Sequence, residues 1–300
     1  MAGTSGTIGR AVADALLADG HTVTCLNRRE VGVAKDARLA VARFDDRASL
    51  GKAVATARPS AVISCIASRS GAPKDAHAVD YQANSNLLVA AERAGAEHFI
   101  LLSAICVQKP RLAFQHAKLA FEAELVASSI DHTIVRPTAF FKSLSGQARR
   151  VAKGGRFMLF GDGELTRCKP ISDRDCARFV ADCVFDPARR GQVLPIGGPG
   201  PAISLKEQGE LLFEAARRKP RFQSISPRMF TVIARILSVA APFLDWFATK
   251  AEYARIAHYY ATESMLVLDP ESGEYNEEMT PEFGEDRLAD HYKFLLEPDG

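Results

Sequence analysis

Apolar and polar residues alternate with two different periods in the first half of the chain, and each period predicts one kind of element. Short runs of β-branched and other apolar residues predict buried strands, and apolar residues at every third or fourth position predict amphipathic helices. The predicted strands are residues 21–26, 39–44, 61–66, 98–103 and 132–136. The predicted helices are residues 6–19, 49–57, 78–94 and 115–128. Strands alternating with helices of this length are typical of βαβ units, so the sequence predicts an α/β fold with a doubly wound parallel sheet.

The second half of the chain is less regular and predicts a smaller lobe packed on the sheet domain. Ser204 and Glu207 have the spacing of a capping box, so a helix is expected to begin there and to end before Lys219. Residues 226–250 are apolar and aromatic. We therefore expect a sheet domain over residues 1–185, with an insertion from the lobe at about 140–170, and a substrate-binding lobe over residues 186–300.

Composition and charge exclude several classes of function. The 300 residues are 47% hydrophobic and 25% charged, which excludes a disordered or collagen-like chain. The net charge of +2 provides no basic field, so no nucleic-acid partner is expected. The longest charge-free run in the C-terminal third, residues 236–244, is too short for a transmembrane segment, which needs about 20 apolar residues. The six cysteines include no CxxC pair and the seven histidines form no HExxH, so neither a disulfide framework nor a metal site is expected.

A glycine-rich turn opens the chain and leads directly into a predicted helix. Its spacing, GxxGxxG, is a variant of the Rossmann dinucleotide fingerprint, in which glycines allow the backbone to approach a pyrophosphate at a helix N-terminus. The cofactor-binding candidates in this turn are Gly3, Thr4, Gly6, Thr7, Ile8 and Gly9. The alternative is a glycine-rich turn that binds nothing. The turn predicts that the sheet domain is Rossmann-like.

The fingerprint should follow a strand, but only Met1 and Ala2 precede Gly3. We therefore expect the first strand of the sheet to be missing from the N-terminus. Its absence would leave the neighbouring strands unpaired. The alternative is that another segment fills the position.

Basic residues follow the predicted strand 21–26, where an NAD-specific site would place an acidic residue against the ribose 2′-hydroxyl. Arg28 and Arg29 stand there instead. Guanidinium groups suit a 2′-phosphate, so NADPH is the expected cofactor. The alternative is a solvated basic loop. Cys65 and Ala67, at the end of strand 61–66, are further cofactor-binding candidates because ligands bind at the carboxyl ends of parallel strands.

The region from 100 to 118 resembles the catalytic segment of short-chain dehydrogenases, which carries a Ser and then Tyr-x-x-x-Lys. Ser103 and Lys118 keep the spacing, but the Tyr position is Phe114, which cannot transfer a proton. Lys118 and Ser103 are the catalytic candidates, and both are also expected at the cofactor. The alternatives are an exposed helix lysine and a strand-end hydroxyl bonded to backbone. His116 lies off the face shared by Phe114 and Lys118 and is expected at the surface.

The segment that leaves the strand 132–136 carries further candidates at the same edge of the predicted sheet. Pro137 and Thr138 are expected at the cofactor. Phe140 and Phe141 could form the wall of a flat apolar ligand, and core packing is the alternative for either ring.

Several blocks of the sequence together resemble the NADPH-dependent divinyl (proto)chlorophyllide 8-vinyl reductases, which are atypical extended short-chain dehydrogenases related to the isoflavone-reductase and NmrA-like group. The matching blocks are residues 101–110, 117–125, 135–144, 160–164, 168–172, 194–200 and 259–270. The resemblance implies that the vinyl group of a magnesium-containing divinyl tetrapyrrole is reduced to ethyl in chlorophyll or bacteriochlorophyll biosynthesis. Because no carbonyl oxygen needs a proton, Phe114 is compatible with this reaction, and Lys118 or a water near it is the first candidate proton donor.

The same resemblance implies a large, flat and amphiphilic pigment as substrate. Its binding candidates are Phe114, Arg136, Phe140, Phe141, Lys142, Phe230 and Trp246. Arg136 or Lys142 would pair with a propionate, and the aromatic segment 230–247 would form apolar walls. The alternatives for that segment are a packing helix or a lip that meets pigment at a membrane surface.

Other functions remain open at this stage. One is an NADPH-dependent alkene reductase of the isoflavone-reductase-like group, and another is an NmrA-like NADP-binding sensor, which the loss of the Tyr favours. A third is an assembly role in pigment complexes. Because no targeting segment precedes the glycine-rich turn, a bacterial cytoplasmic location is expected, with possible peripheral contact to a photosynthetic membrane.

Overall fold

A computed structural model describes residues 1–30, 32–240 and 245–297, and its chain divides into two compact units. The first unit contains residues 1–136 and 176–194, and the second contains residues 137–175 and 195–300. The sequence analysis expected divisions at 185 and at 140–170. The structure instead changes unit directly after Arg136, because the strand there runs on into the second unit's first loop.

The first unit is built on a parallel sheet, which confirms the predicted fold class. Its strands are β1 (Thr24–Asn27), β2 (Arg38–Val41), β3 (Ala61–Ser64), β4 (His98–Leu102), β5 (Asp131–Pro137) and β8 (Gln192–Ile196). β1 pairs with β2, β3 with β4, and β4 with β5, each in parallel. β8 follows β5 in the order of strands. Because these strands are buried on both faces, they appear in the sequence as continuous apolar runs.

Helices connect these strands close to the predicted positions. They are α1 (Thr7–Ala18), α2 (Arg47–Ala57), α3 (Pro73–Asp75), α4 (Asn84–Arg93), α5 (Ala113–Ala127) and α8 (Asp173–Asp182), with 3₁₀ turns at Ile105–Gln108 and Pro187–Arg189. The predicted helix 78–94 is divided, because Ala76–Ala83 forms a π-helix ahead of α4. Leu87, Phe99 and Phe121 meet in the core between α4, α5 and the sheet.

The position expected to be empty next to β1 is occupied. Ala2 forms parallel bridges to Leu26 of β1 and Ser64 of β3. Its N–H donates to the carbonyl of Ile63 at 2.8 Å, and its own carbonyl accepts from Cys65 at 3.0 Å. The expectation of unpaired neighbouring strands is therefore corrected, because a single residue joins β1 to β3 at their carboxyl ends.

The second unit contains short two-stranded pairs and the remaining helices. β6 (Phe157–Phe160) pairs in parallel with β10 (Phe222–Ile225), β7 (Arg167–Cys168) pairs with β9 (Ile203–Ser204), and β11 (Val267–Leu268) pairs with β12 (Tyr275–Asn276). Its helices are α6 (Phe141–Leu144), α7 (Ala148–Ala152), α9 (Leu205–Ala215), α10 (Arg228–Ala240), α11 (Asp245–Thr262) and α12 (Leu288–Leu296), with a 3₁₀ turn at Ser145–Gln147. The Ser204–Glu207 capping box is present at the start of α9, as predicted.

The core of the second unit is formed where α7, α9 and α12 pack beside β6. Phe157, Phe213 and Tyr292 are fully buried there. No helix in the described parts of the chain is long and apolar enough to span a membrane.

Candidate active site

The glycine-rich turn forms a backbone cradle in the first unit. Gly3 has φ +86°, and a Cβ added to it would lie 2.5 Å from the carbonyl oxygen of Cys65. A Cβ on Gly9 would lie 2.3 Å from the carbonyl oxygen of Gly3. Gly6 is the N-cap of α1 and offers no side chain to its first turn. The turn is therefore tight because glycine alone fits it, and it leaves the helix N-terminus open to an anion.

A buried amide lies beside this cradle. Thr4 Oγ1 donates to Asn27 Oδ1 at 2.9 Å, and both residues are buried. Asn27 Nδ2 is buried with no hydrogen-bond partner among the described residues. An unpaired buried donor is costly in a folded protein, so this atom indicates a place where a ligand supplies the acceptor.

Exposed cations follow Asn27 directly. Arg28 and Arg29 are exposed after the end of β1. Arg10, in the first turn of α1, donates to the carbonyl of Gly32 at 3.3 Å and so reaches the same loop. The charge of Arg28 contributes to lowering the pKa of Asp75, whose carboxylate also accepts bonds from Ser70. Cations therefore accumulate beyond the pyrophosphate cradle, where a 2′-phosphate would be bound.

Lys118 projects from α5 and is held by a carboxylate. Its ammonium lies 3.1 Å from Oδ1 of Asp80, and both side chains are buried. The N–H of Ser68 also donates to Asp80 Oδ1, at 3.3 Å. Asp80 Oδ2 is buried and has no partner among the described residues. The pair thus fixes Lys118 in one position and leaves one carboxylate oxygen able to accept another hydrogen bond.

The π-helix places Asp80 for this contact. The Asn84 side-chain amide donates to the carbonyls of Val79 and Asp80, at 3.3 and 3.0 Å. The hydroxyl of Ser64, at the end of β3, donates to Asn84 Oδ1 at 2.5 Å. These bonds satisfy carbonyl groups of the wide turn and connect it to the sheet. π-turns of this kind occur frequently at functional sites.

Ser103 is also committed to a carboxylate. Its Oγ donates to Glu122 Oε1 at 2.5 Å, and Arg136 forms an ion pair with the other oxygen of Glu122. Glu122 lies one helical turn after Lys118, so both face the same side of α5. The hydroxyl proton of Ser103 and the guanidinium of Arg136 therefore both serve Glu122 in this structure.

The remaining candidates of the first unit lie around these groups. Phe114 is half-buried one helical turn before Lys118, and His116 is exposed, as predicted. Cys65 is half-buried and Ala67 is exposed after β3. Burial raises the pKa of the Cys65 thiol to about 12, and the charge of Lys118 opposes that shift. Cys65 is therefore a neutral thiol near Lys118 and not a thiolate nucleophile.

The second unit contains the other predicted residues. Pro137 and Thr138 are buried, and the Thr138 hydroxyl donates to the carbonyl of Lys169 at 2.5 Å. Phe141 belongs to the core of this unit, as the packing alternative predicts, and its ring lies 5.4 Å from the His291 ring. Phe140 is half-buried and bridges to Ile171.

Lys142 and the aromatic segment have different surroundings. Lys142 is exposed, and its charge opposes the raised pKa that burial imposes on Asp173. Phe230 packs edge-on against Phe160, with ring centroids 5.6 Å apart. Trp246 is 59% exposed, and of the predicted segment 230–247, residues 241–244 lie outside the described residues. A role for any of these residues in substrate binding stays a prediction.

Comparison with known proteins assigns the cofactor class. A family model described as NAD(P)H-binding matches residues 3–187, which begin at the glycine cradle. This confirms that the chain carries an NAD(P)H-binding domain. A crystal structure of an NADPH-dependent quinone oxidoreductase from Escherichia coli, complexed with NADPH, is similar in fold, with a TM-score of 0.70 over 98% of both chains at 17% identity.

Curated relatives decide the family. The chloroplastic divinyl chlorophyllide a 8-vinyl-reductase of Oryza sativa subsp. indica is 44% identical over 314 residues, covering 99% of this chain and 78% of that protein. The chain belongs to the divinyl chlorophyllide a 8-vinyl-reductase family. The enzyme of the same name from Arabidopsis thaliana is 50% identical over 241 residues, which cover 78% of this chain but 58% of that protein. The resemblance found in the sequence blocks is thereby confirmed.

Three residues of this 8-vinyl-reductase family member escaped the sequence analysis. Asn27, Asp80 and Glu122 contact the candidate residues Thr4, Lys118 and Ser103. Asn27 stands beside Arg28, and Glu122 stands four residues after Lys118, so position alone could have indicated these two. Asp80 lies 38 residues before Lys118 in sequence, as 118 − 80 shows, and carries no local signal of that contact.

Proposed function

We propose that this protein reduces the 8-vinyl group of a divinyl chlorophyllide or protochlorophyllide to ethyl, with NADPH as the reductant. The observation that carries the proposal is the 44% identity to a named 8-vinyl-reductase across 99% of this chain. The geometry of the first unit supports it, because a glycine cradle, an open helix end and a buried lysine lie in one NAD(P)H-binding domain.

The first unit has groups suited to NADPH. Gly3 and Gly9 would let the pyrophosphate approach the backbone at the start of α1. Asn27 Nδ2 would donate to the adenosine ribose or its phosphate, since it has no partner among the described residues. Arg28 and Arg29 would bind the 2′-phosphate through charge-assisted hydrogen bonds. Asp80 Oδ2 would accept from a ribose hydroxyl near Lys118.

The reaction adds one hydride and one proton across the vinyl double bond, and bound NADPH supplies the hydride. Negative charge that develops on the vinyl group spreads into the conjugated macrocycle, so no oxyanion needs a tyrosine acid. A proton must still reach the second vinyl carbon. Lys118 is the proposed donor, directly or through a water, because its ammonium is fixed by Asp80 beside the cofactor cradle. A positioned acid contributes typically 10²- to 10⁴-fold.

Ser103 is the weaker donor candidate. Its hydroxyl donates to Glu122, so the oxygen offers lone pairs and not a proton to any other group. Ser103 would therefore accept a hydrogen bond from a water or from the pigment. Arg136 would have to leave Glu122 to pair with a propionate, which makes exposed Lys142 the better partner for that carboxylate.

The pigment is a large apolar substrate, and part of the proposal concerns where the protein meets it. Peripheral contact with a pigment-containing membrane would shorten the transfer of such a substrate. The aromatic segment 230–247 supports this part of the proposal, because Trp246 is exposed on α11.

The test is an anaerobic reaction of the full chain with 3,8-divinyl chlorophyllide a and NADPH, followed by absorbance and mass spectrometry. A blue shift of the Soret band with a gain of about two mass units, one hydride and one proton, is the expected result. Lys118→Ala should lower kcat at least a hundredfold while Lys52→Ala, an exposed lysine on α2, should not. Bound NADPH without any pigment reduction would overturn the proposal and favour a sensor.

A further inference from the structure

Helix α10 presents an apolar face to solvent. Five of its thirteen residues are large, apolar and exposed: Met229, Val232, Ile233, Ile236 and Val239. Ile236 and Val239 are 66% and 75% exposed. At roughly 100° per residue, these five side chains occupy one continuous arc of about 120°. A contiguous exposed apolar surface of this kind marks an interaction site more often than an isolated exposed residue does.

The opposite side of α10 explains why the helix is stable without a partner on this arc. Ala234 is buried, Phe230 packs on Phe160, and Ser238 accepts a hydrogen bond from Arg255 of α11 at 2.7 Å. The helix is therefore already anchored in the second unit through one face. The exposed arc is surplus to that anchoring.

The charge around the arc has one sign. Arg228 and Arg235 stand next to each other at the edge of the arc on the helical projection, beside Val232 and Val239. Both are exposed, and neither forms an ion pair within the described residues. From residue 217 to residue 240 the chain carries six basic residues and no acidic one, although the whole chain has a net charge of only +2: Arg217, Arg218, Lys219, Arg221, Arg228 and Arg235.

Helix α11 has a second feature with the same chemistry. Trp246, Lys250 and Tyr253 follow each other at one-turn spacing, and all three are exposed. The Lys250 ammonium lies 5.7 Å from the Trp246 ring centroid and 5.4 Å from that of Tyr253. Trp and Tyr rings with a lysine beside them are typical of the boundary between hydrocarbon and water.

We propose that the exposed face of α10 docks on a lipid bilayer surface that carries anionic headgroups. An amphipathic helix with an apolar arc and basic residues at its edge lies in the plane of such a surface, with the apolar side chains at the headgroup boundary. The net positive charge of residues 217–240 complements anionic lipid and argues against a second copy of the same face, since two such faces would repel each other. This inference concerns a partner surface and stands apart from the reductase proposal.

The test is co-sedimentation of the NADPH-bound full chain with vesicles of phosphatidylcholine alone or mixed with phosphatidylglycerol, at about 0.1 M salt. Binding is expected only to the mixed vesicles and should weaken at high salt. Val232→Ser/Ile236→Ser/Val239→Ser should reduce partitioning at least tenfold. Arg228→Gln/Arg235→Gln should reduce it about 20- to 30-fold, because each cation near an anionic surface contributes about 1 kcal/mol.

Matched controls use exposed residues outside the second unit's helices. Val126→Ser and the pair Lys35→Gln/Lys52→Gln should leave partitioning unchanged. Absence of binding by the unmodified chain, or equal binding by the triple serine variant, would overturn the proposal. So would light scattering that shows a dimer which the triple variant converts to a monomer, since a second copy would then cover the face.

One outcome would reassign the face to the pigment. If the triple variant raises the KM for pigment in vesicle-free solution but binds vesicles normally, α10 is a substrate wall and the lipid proposal fails. Vesicle binding needs no turnover, so its failure leaves the reductase assay, and the function it tests, unaffected.

Discussion

The ammonium of Lys118 lies 3.1 Å from the carboxylate of Asp80, and both side chains are at least nine-tenths buried. Removing one member of a buried ion pair leaves an uncompensated charge. The pair also has a second consequence, because a lysine held by a carboxylate has one position from which to deliver a proton. Stability and catalysis are therefore both expected to depend on Asp80.

Asp80→Asn should lower the free energy of unfolding by about 3 kcal/mol and lower kcat more than it changes the KM for NADPH. Thermal unfolding and steady-state kinetics measure these effects. The double variant Asp80→Asn/Lys118→Met should recover part of the stability but none of the activity, since it removes the unpaired charge and the proton donor together. Asp14→Asn, an exposed aspartate on α1, is the control. A kcat within twofold of the unmodified value would contradict the positioning role of Asp80.

Ser103→Ala should retain most of the activity. The Ser103 hydroxyl donates to Glu122, so its loss removes a structural hydrogen bond worth about 1 kcal/mol and no proton donor. We expect kcat to fall less than tenfold, compared with at least a hundredfold for Lys118→Ala. A loss for Ser103→Ala as large as that for Lys118→Ala would identify the serine as the donor instead.

Arg28→Gln should raise the KM for NADPH about tenfold or more and leave the KM for NADH nearly unchanged, because only NADPH carries the 2′-phosphate. Asn27→Asp should act in the same direction, since it replaces an unpartnered buried donor with a negative charge. Initial rates with both cofactors measure the ratio. Arg93→Gln, at the end of α4, is the matched control. Equal effects on the two cofactors would show that these residues do not read the phosphate.

Gly9→Ala and Gly51→Ala should have opposite effects. A Cβ at Gly9 would lie 2.3 Å from the Gly3 carbonyl, so the cradle must open and NADPH binding should be lost. Gly51 lies inside α2 with nothing within 4 Å of an added Cβ, so alanine should stabilise the chain by about 0.5–1 kcal/mol. Calorimetric titration with NADPH and urea unfolding report the two outcomes. Normal NADPH affinity in Gly9→Ala would place the cofactor elsewhere.

His98 should make stability depend on pH. Burial lowers the pKa of His98 to about 4, with Arg190 adding to the shift and Asp131 opposing it. The fold therefore favours the neutral ring, and Nε2 bonds to Thr133, whose hydroxyl donates to the Arg189 carbonyl. Between pH 6.5 and 4 the unfolded chain binds a proton that the folded chain does not.

Stability should consequently fall by about 3 kcal/mol as the pH drops through that range and should be fully present above pH 6.5. Urea unfolding at several pH values measures the slope, and His98→Gln should flatten it. A residual slope is expected from His132 and His291, whose pKa values burial also lowers. An unchanged slope in the variant would assign the dependence to other groups.

Local patterns predicted the glycine turn, Lys118 and the alternation of strands and helices, because each of these depends on residues close in sequence. The partners of the site residues could not be predicted in the same way. Asp80 reaches Lys118 only because a π-helix sets its direction, and a spacing pattern for an α-helix does not contain that information. Arg136 was expected at a propionate, but the sheet brings β5 beside β4 and α5, where Glu122 is the nearest carboxylate. Its substrate role stays a prediction.

The wide turn at Ala76–Ala83 separates two properties of a helix that usually change together, its length and its rotational phase. A π-turn accommodates one residue more than an α-turn over nearly the same rise. Deleting one residue there, such as Val79, would let the segment close into an ordinary α-helix with little change in the positions of α3 and α4. Every side chain before the deletion would nevertheless rotate by about 100° relative to those after it. The chain could thus keep its fold at this point while losing the alignment between Asp80 and Lys118.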